Sequence, residues 1–192
     1  MKSGEDAVAA LLDVLNREGV PYMIAGSFSS NRYGVPRATH DADFVVGTRG
    51  IQWTKYLAEL PEGFELDPQA SFEMVTATHR RIIEIPSLPF TIELFELSSD
   101  EHDQLRFSRR RKLTLLGREA WLPTAEDVII QKLRWSRGAK RAKDFADVVA
   151  VMQVQGPTRL DWTYIEEWCG KHETLDLLAE AKAEAAFAWE DE

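Results

Sequence analysis

The chain has 192 residues, 44% of them hydrophobic and 29% charged, which describes a folded globular chain with enough length to bury a core unaided by disulfides or structural metals. No apolar run exceeds six residues, at 7–12, so a membrane-spanning helix is excluded; the acidic start at Glu5 and Asp6 does not read as a signal peptide, and a lone cysteine, Cys169, allows no intrachain disulfide and fits a reducing cytoplasm. The net charge of −9 is uneven: residues 104–143 hold 12 Lys and Arg against three acids, a local +9, while the remainder holds 11 basic and 29 acidic residues.

In chain order, Ser3 with Asp6 three residues on reads as a helix cap, followed by Val8, Leu11, Leu12 and Leu15 at helical spacing and a stop at Gly19. Residues 22–25 read as a short buried strand, 27–33 as a short helix closed by Gly34 and Pro36, and 41–46 as the next strand. A helix is expected over 50–60, ended by Pro61. Strands are expected at 72–77, 81–85 and 90–97, the last two joined through Pro86 and Pro89. Residues 112–116 and 119–122 read as a hairpin across Gly117. From Thr124 the pattern turns helical: one helix to about 137, a second carrying Phe145, Val148, Val149 and Met152 on one face, and two more near 162–171 and 174–187. The expected fold is α+β: a small mixed β-sheet with flanking helices over 1–122, then a helical region over 123–192 packed on that core.

Chemistry concentrates at Ile24-Ala25-Gly26-Ser27 and at Asp41-Ala42-Asp43. On a strand, Asp41 and Asp43 share a face because side chains alternate, while Ala42, Phe44 and Val46 point the other way. Two carboxylates about 7 Å apart on one face repel unless a cation lies between them. Mg²⁺, which takes carboxylate, water and phosphate oxygens, suits that arrangement. Glu93 interrupts the apolar strand Thr91-Ile92-Glu93-Leu94-Phe95, where a carboxylate is costly unless paired or metal-bound. These three acids from two strands define a candidate site for one or two divalent ions. Gly26-Ser27 ends a strand and opens a helix, so its amides and hydroxyl can approach a phosphate. No Gly-x-x-x-x-Gly-Lys, Gly-x-Gly-x-x-Gly or Gly-x-Ser-x-Gly occurs, which removes the P-loop, Rossmann and hydrolase readings.

A hydrophobic strand, Gly-Ser, 13 intervening residues, Asp-x-Asp, and a later strand acid together resemble the nucleotidyltransferase superfamily in its minimal polymerase-β-like form. The resemblance covers residues 6–152. It implies that Gly26 and Ser27 hold the triphosphate, that Asp41, Asp43 and Glu93 ligate Mg²⁺, in a two-metal site, and that Glu93 helps deprotonate the attacking hydroxyl. Lys132 and Lys143-Asp144-Phe145-Ala146-Asp147 are similar to features of nucleotidyltransferases related to abortive-infection toxins. By that likeness Lys132 and Lys143 contact the nucleotide and Asp144 is a late active-site acid. Read from spacing alone, Lys140 with Asp144 and Lys143 with Asp147 are i,i+4 helix pairs.

The resemblance implies transfer of a nucleoside monophosphate from an NTP to an acceptor hydroxyl, with release of pyrophosphate. The basic stretch 104–143 favours RNA, such as tRNA, or protein as acceptor, and the toxin-like features imply an antitoxin partner. The alternatives are an antibiotic nucleotidyltransferase of aminoglycoside or lincosamide type, and a catalytically silent member that binds a nucleotide or partner. No membrane partner is expected.

Overall fold

A computed structural model of the chain describes residues 3–47, 53–74, 77–138 and 141–186. It contains two compact units: Met1–Ala25 with Ala38–Pro123, and Gly26–Arg37 with Thr124–Glu192. The expected division at 122/123 therefore differs in one segment. The short helix after the first strand belongs with the C-terminal helices, because its buried face meets two of them.

The first unit is built on a mixed sheet. Helix α1 (Gly4–Arg17) starts at a reciprocal cap in which Ser3 Oγ accepts the Asp6 amide and the Asp6 carboxylate accepts the Ser3 amide, each at 3.1 Å. Its face of Val8, Leu11, Leu12 and Leu15 is wholly buried. Strand β1 (Tyr22–Ile24) pairs antiparallel with β2 (Asp41–Val46). A short helix α3 (Trp53–Leu57) and strands β3 (Glu65–Leu66), β4 (Ser71–Glu73), β5 (Thr78–Glu84) and β6 (Thr91–Glu96) follow. The sheet order is β1-β2-β6-β5-β3, with β4 also on β5; β2 and β6 are parallel and the other pairs antiparallel. Helix α4 (Glu101–Arg109) leads to a separate hairpin of β7 (Arg111–Leu115) and β8 (Arg118–Leu122).

The second unit contains α2 (Gly26–Tyr33), α5 (Ala125–Ser136), α6 (Ala142–Gln155), α7 (Trp162–Lys171) and α8 (Leu175–Ala186). Thr124 caps α5 by accepting the Asp127 amide, and its hydroxyl donates to the Asp127 carboxylate at 2.9 Å. Tyr164 donates to the other oxygen of that carboxylate at 2.7 Å, which ties α7 to the start of α5. Leu133, Val148, Val151, Met152, Ile165 and Ala181 are fully buried between these helices. Just past α2, Gly34 lies so close to α6 that a Cβ there would sit 2.9 Å from the Val151 backbone nitrogen.

Three local expectations change. The helix expected over 50–60 is confined to α3 among the described residues, with 50–52 outside them and turns over 58–60. The strand expected at 72–77 is β4, with 75–76 outside the described residues. Helix α4 has no counterpart in the sequence reading. Its buried side includes His102, Asp103 and Arg106, so it shows no apolar stripe. What holds it is polar: Asp100 caps it, and Arg106 pairs with Asp103 at 2.7 Å while Ser98 donates to the same carboxylate at 2.5 Å.

Candidate active site

In the first unit the acids stand where the strand register puts them. β2 alternates as expected, with Ala42, Phe44 and Val46 buried and Asp41 and Asp43 half-exposed on the opposite face. Asp43 is the register partner of Glu93 on the neighbouring parallel strand, and Asp41 faces Thr91. Three carboxylates thus rise from one face of two adjacent strands. The amide of Ala25, just past β1, donates to the Asp43 carbonyl at 2.8 Å, which holds the end of β1 against the acid pair.

The Asp41 and Glu93 carboxylates each meet a neighbouring side chain. Thr39 donates to Asp41 Oδ1 at 2.5 Å. Arg80 on β5 donates to Glu93 Oε2 at 2.9 Å. Glu93 registers with Ile82, so Arg80 is its diagonal cross-strand neighbour, within reach of a long side chain. Among the described residues no three His, Cys, Asp or Glu side chains converge closely enough to hold a metal ion. The acids share a face, and the Glu93 carboxylate pairs with a guanidinium that the sequence reading did not consider. The donor set itself, carboxylate oxygens on a face open to water, fits a hard divalent ion such as Mg²⁺.

In the second unit Ser27, Arg37, Lys132, Asp144 and Asp147 belong to one polar and ionic network. Gly26, at φ +55, makes the left-handed turn that starts α2, a conformation glycine adopts without strain. Ser27 follows it, buried. Lys132 on α5, 8% exposed, places its ammonium 2.9 Å from Asp144 and 2.7 Å from Asp147. Arg37 forks onto Asp147 at 2.6 and 2.7 Å, and one of its terminal nitrogens also donates to Ser27 Oγ at 2.9 Å. Ser30 donates to Asp147 at 3.1 Å, and Arg141 lies 3.2 Å from Asp144. Burial alone raises the Asp147 carboxyl, but hydrogen bonds from Arg37 and Lys132, with their charges, outweigh it and hold it down at about 2.

Among the described residues these acids are held by cations from other segments. Asp144 is engaged by Lys132 and Arg141, and Asp147 by Arg37 and Lys132. Lys140 lies outside the described residues, and Lys143 is exposed. The reason is burial: both aspartates face inward from α6, toward cations on other segments. Arg37 was legible only as a cation between two motifs, and Asp147 only as the end of a Lys-Asp-x-x-Asp run. Their partnership spans 110 residues and no local pattern reveals it.

The basic stretch 104–143 is largely spent on internal partners. Arg106 pairs with Asp103, Lys112 with Glu119 and Arg118 with Asp13 in the first unit. Lys132, Arg137 and Arg141 pair with acids in the second. Arg110 packs its guanidinium 4.0 Å from the Phe107 ring centre and 4.9 Å from that of Trp121. No described helix is long and apolar enough to cross a membrane.

This mixed sheet with flanking helices and a helical C-terminal region is the nucleotidyltransferase fold. The chain is similar to ANT(2")-Ia in complex with adenylyl-2"-tobramycin, with a TM-score of 0.61 at 12% identity over 88% of this chain and 96% of that one. It is similar also to an antigenic nucleotidyltransferase-like protein from Paracoccidioides brasiliensis, with a TM-score of 0.58 at 18% identity over 94% of this chain and 92% of that one. A third likeness, to JHP933 from Helicobacter pylori, has a TM-score of 0.50 at 14% identity over 97% and 92%. No family model matches the sequence, and no curated protein matches it.

Proposed function

We propose that the chain transfers a nucleoside monophosphate from an NTP to a hydroxyl of an acceptor. The observation that carries this is the placement of Asp41 and Asp43 on one water-accessible face of β2, with Glu93 as the register partner of Asp43, in a nucleotidyltransferase fold. Asp41 and Asp43 would hold Mg²⁺, and Glu93 would join them on leaving Arg80. When bound, the ion offsets charge on the triphosphate and makes the acceptor hydroxyl more acidic.

The protein's remaining work is positioning and proton handling. The Ser27 hydroxyl would orient the triphosphate, with Gly26 giving the close backbone approach that a phosphate needs. Lys132 and Lys143 would contact the nucleotide, and Asp144 would serve as a late acid. Glu93 would take the proton of the acceptor hydroxyl as its oxygen bonds to the α-phosphorus. The bond from the α-phosphorus to the bridging oxygen breaks, and pyrophosphate leaves with that electron pair.

For the acceptor, the pairing of Arg106, Lys112, Arg118, Lys132, Arg137 and Arg141 with acids leaves little continuous charge for a polyanion to follow. That supports a small-molecule hydroxyl, as does the likeness to a protein bound to adenylyl-2"-tobramycin. The RNA, protein and antitoxin readings keep the exposed Arg111 on β7. Labelled NTP, Mg²⁺ and purified chain are incubated with cell extract or with an aminoglycoside panel. Label on small molecules supports this acceptor, and label on RNA or protein overturns it. Asp43→Asn should abolish transfer while leaving circular dichroism and thermal unfolding unchanged; wild-type turnover in that variant refutes the assignment. NTP binding with no pyrophosphate release across all acceptors makes the chain a silent member of the fold.

A further inference from the structure

Ser27 is 5% exposed, and its hydroxyl accepts a hydrogen bond from Arg37. A hydroxyl has one donor and two acceptor sites, and a buried donor without an acceptor is costly. Among the described residues the Ser27 hydroxyl donates to no acceptor. The arginine whose guanidinium occupies one lone pair of this oxygen is itself held at main chain and side chain. Asn31 clasps the Arg37 main chain, donating to its carbonyl at 2.8 Å and accepting its amide at 3.1 Å. Asp147 takes the other side of the guanidinium in a two-pronged pair, a geometry that a planar fork satisfies and a lysine does not.

We propose that Arg37 is a positioning residue for the nucleotide: held by Asn31 and Asp147, it fills the acceptor side of Ser27 Oγ and so commits the Ser27 hydrogen to a phosphate oxygen of the bound NTP. The inference rests on the nucleotidyl-transfer reading and adds a residue outside both sequence motifs. Its consequence is energetic coupling. Arg37 acts on nucleotide affinity through Ser27, so its effect disappears once the hydroxyl is gone. A purely structural arginine would weaken binding independently of Ser27.

The test is a double-mutant cycle on the full chain. Calorimetry measures binding of non-hydrolysable α,β-methylene analogues of all four NTPs, each with Mg²⁺, and the cycle uses the analogue that wild type binds tightest. Arg37→Lys keeps a cation for Asp147 but cannot also reach Ser27 in the same plane. Ser27→Ala and Arg37→Lys are each expected to weaken binding about tenfold, the scale of one hydrogen bond to a charged acceptor. The double variant should lose no more than either alone. Asn31→Ala, which frees the Arg37 main chain and leaves its guanidinium intact, provides a second route should Arg37→Lys fail to fold. Its loss should likewise vanish in the Ser27→Ala background. Losses that multiply to about a hundredfold, or wild-type affinity in a folded Arg37→Lys or Asn31→Ala, overturn the inference and leave nucleotidyl transfer standing. Wild type that binds none of the four analogues overturns both.

Discussion

Asp147→Asn tests the ionic network most directly. In the folded chain the Asp147 carboxyl is held down from the ordinary 3.8 to about 2. At ~1.36 kcal/mol per pH unit that depression contributes about 2 kcal/mol of stability. Because the folded value lies below the unfolded one, the contribution is fully present above pH ~4 and is lost as pH falls from there through about 2. Asp147→Asn removes the charge and leaves Arg37 and Lys132 facing an amide in a site where Asp147 is only 6% exposed. About 2 kcal/mol is therefore the least expected loss at pH 7, and removing one partner from a buried pair commonly costs ~3–5 kcal/mol. For a chain of this size 2 kcal/mol corresponds to roughly 4–8 °C in melting temperature. Urea unfolding of both proteins across pH 7 to pH 2 provides the readout. The two curves should stand apart at neutral pH and converge toward pH 2. Equal stability at pH 7, or a gap that widens on acidification, refutes the account of the network.

Gly34→Ala should cost ~1–3 kcal/mol, because the new Cβ would meet the Val151 backbone nitrogen at 2.9 Å and backbone cannot swing away; a thermal melt unchanged from wild type contradicts that packing. Burial pushes the Tyr22 hydroxyl up to about 12, against hydrogen bonds that lower it. Since the folded value exceeds the unfolded one, the associated stability is intact below pH ~10 and lost as pH rises through 12; an ultraviolet titration resolving four tyrosines that all ionise near pH 10 contradicts it. Arg80→Leu frees the Glu93 carboxylate from a partly exposed ion pair. Such a pair is worth ~0.2–1 kcal/mol, so Mn²⁺ binding should tighten up to about fivefold, and weaker binding in that variant argues against Glu93 as a metal ligand.

What could be read directly from the chain was whatever depends on near neighbours. The caps at Ser3 and Thr124, the apolar stripe of α1, the hairpins β5-β6 and β7-β8, and the alternation that brings Asp41 and Asp43 to one face of β2 all follow from spacings of two to four residues. Periodicity and capping act at that range, so they leave a mark in the sequence. Helix α4 escaped because its buried side is polar, and its stability comes from paired charge instead of an apolar face.

The partners of the charged groups were decided only when distant segments met. Glu93 has Arg80 beside it because β5 pairs with β6 in one particular register. Asp147 takes Arg37 and Lys132 instead of Lys143 because α6 turns that carboxylate inward, where an unpaired charge is too costly to keep. A carboxylate's identity is local, but its company depends on which chain segments share its space. The residue types at the site were therefore legible in advance, and their alliances were not.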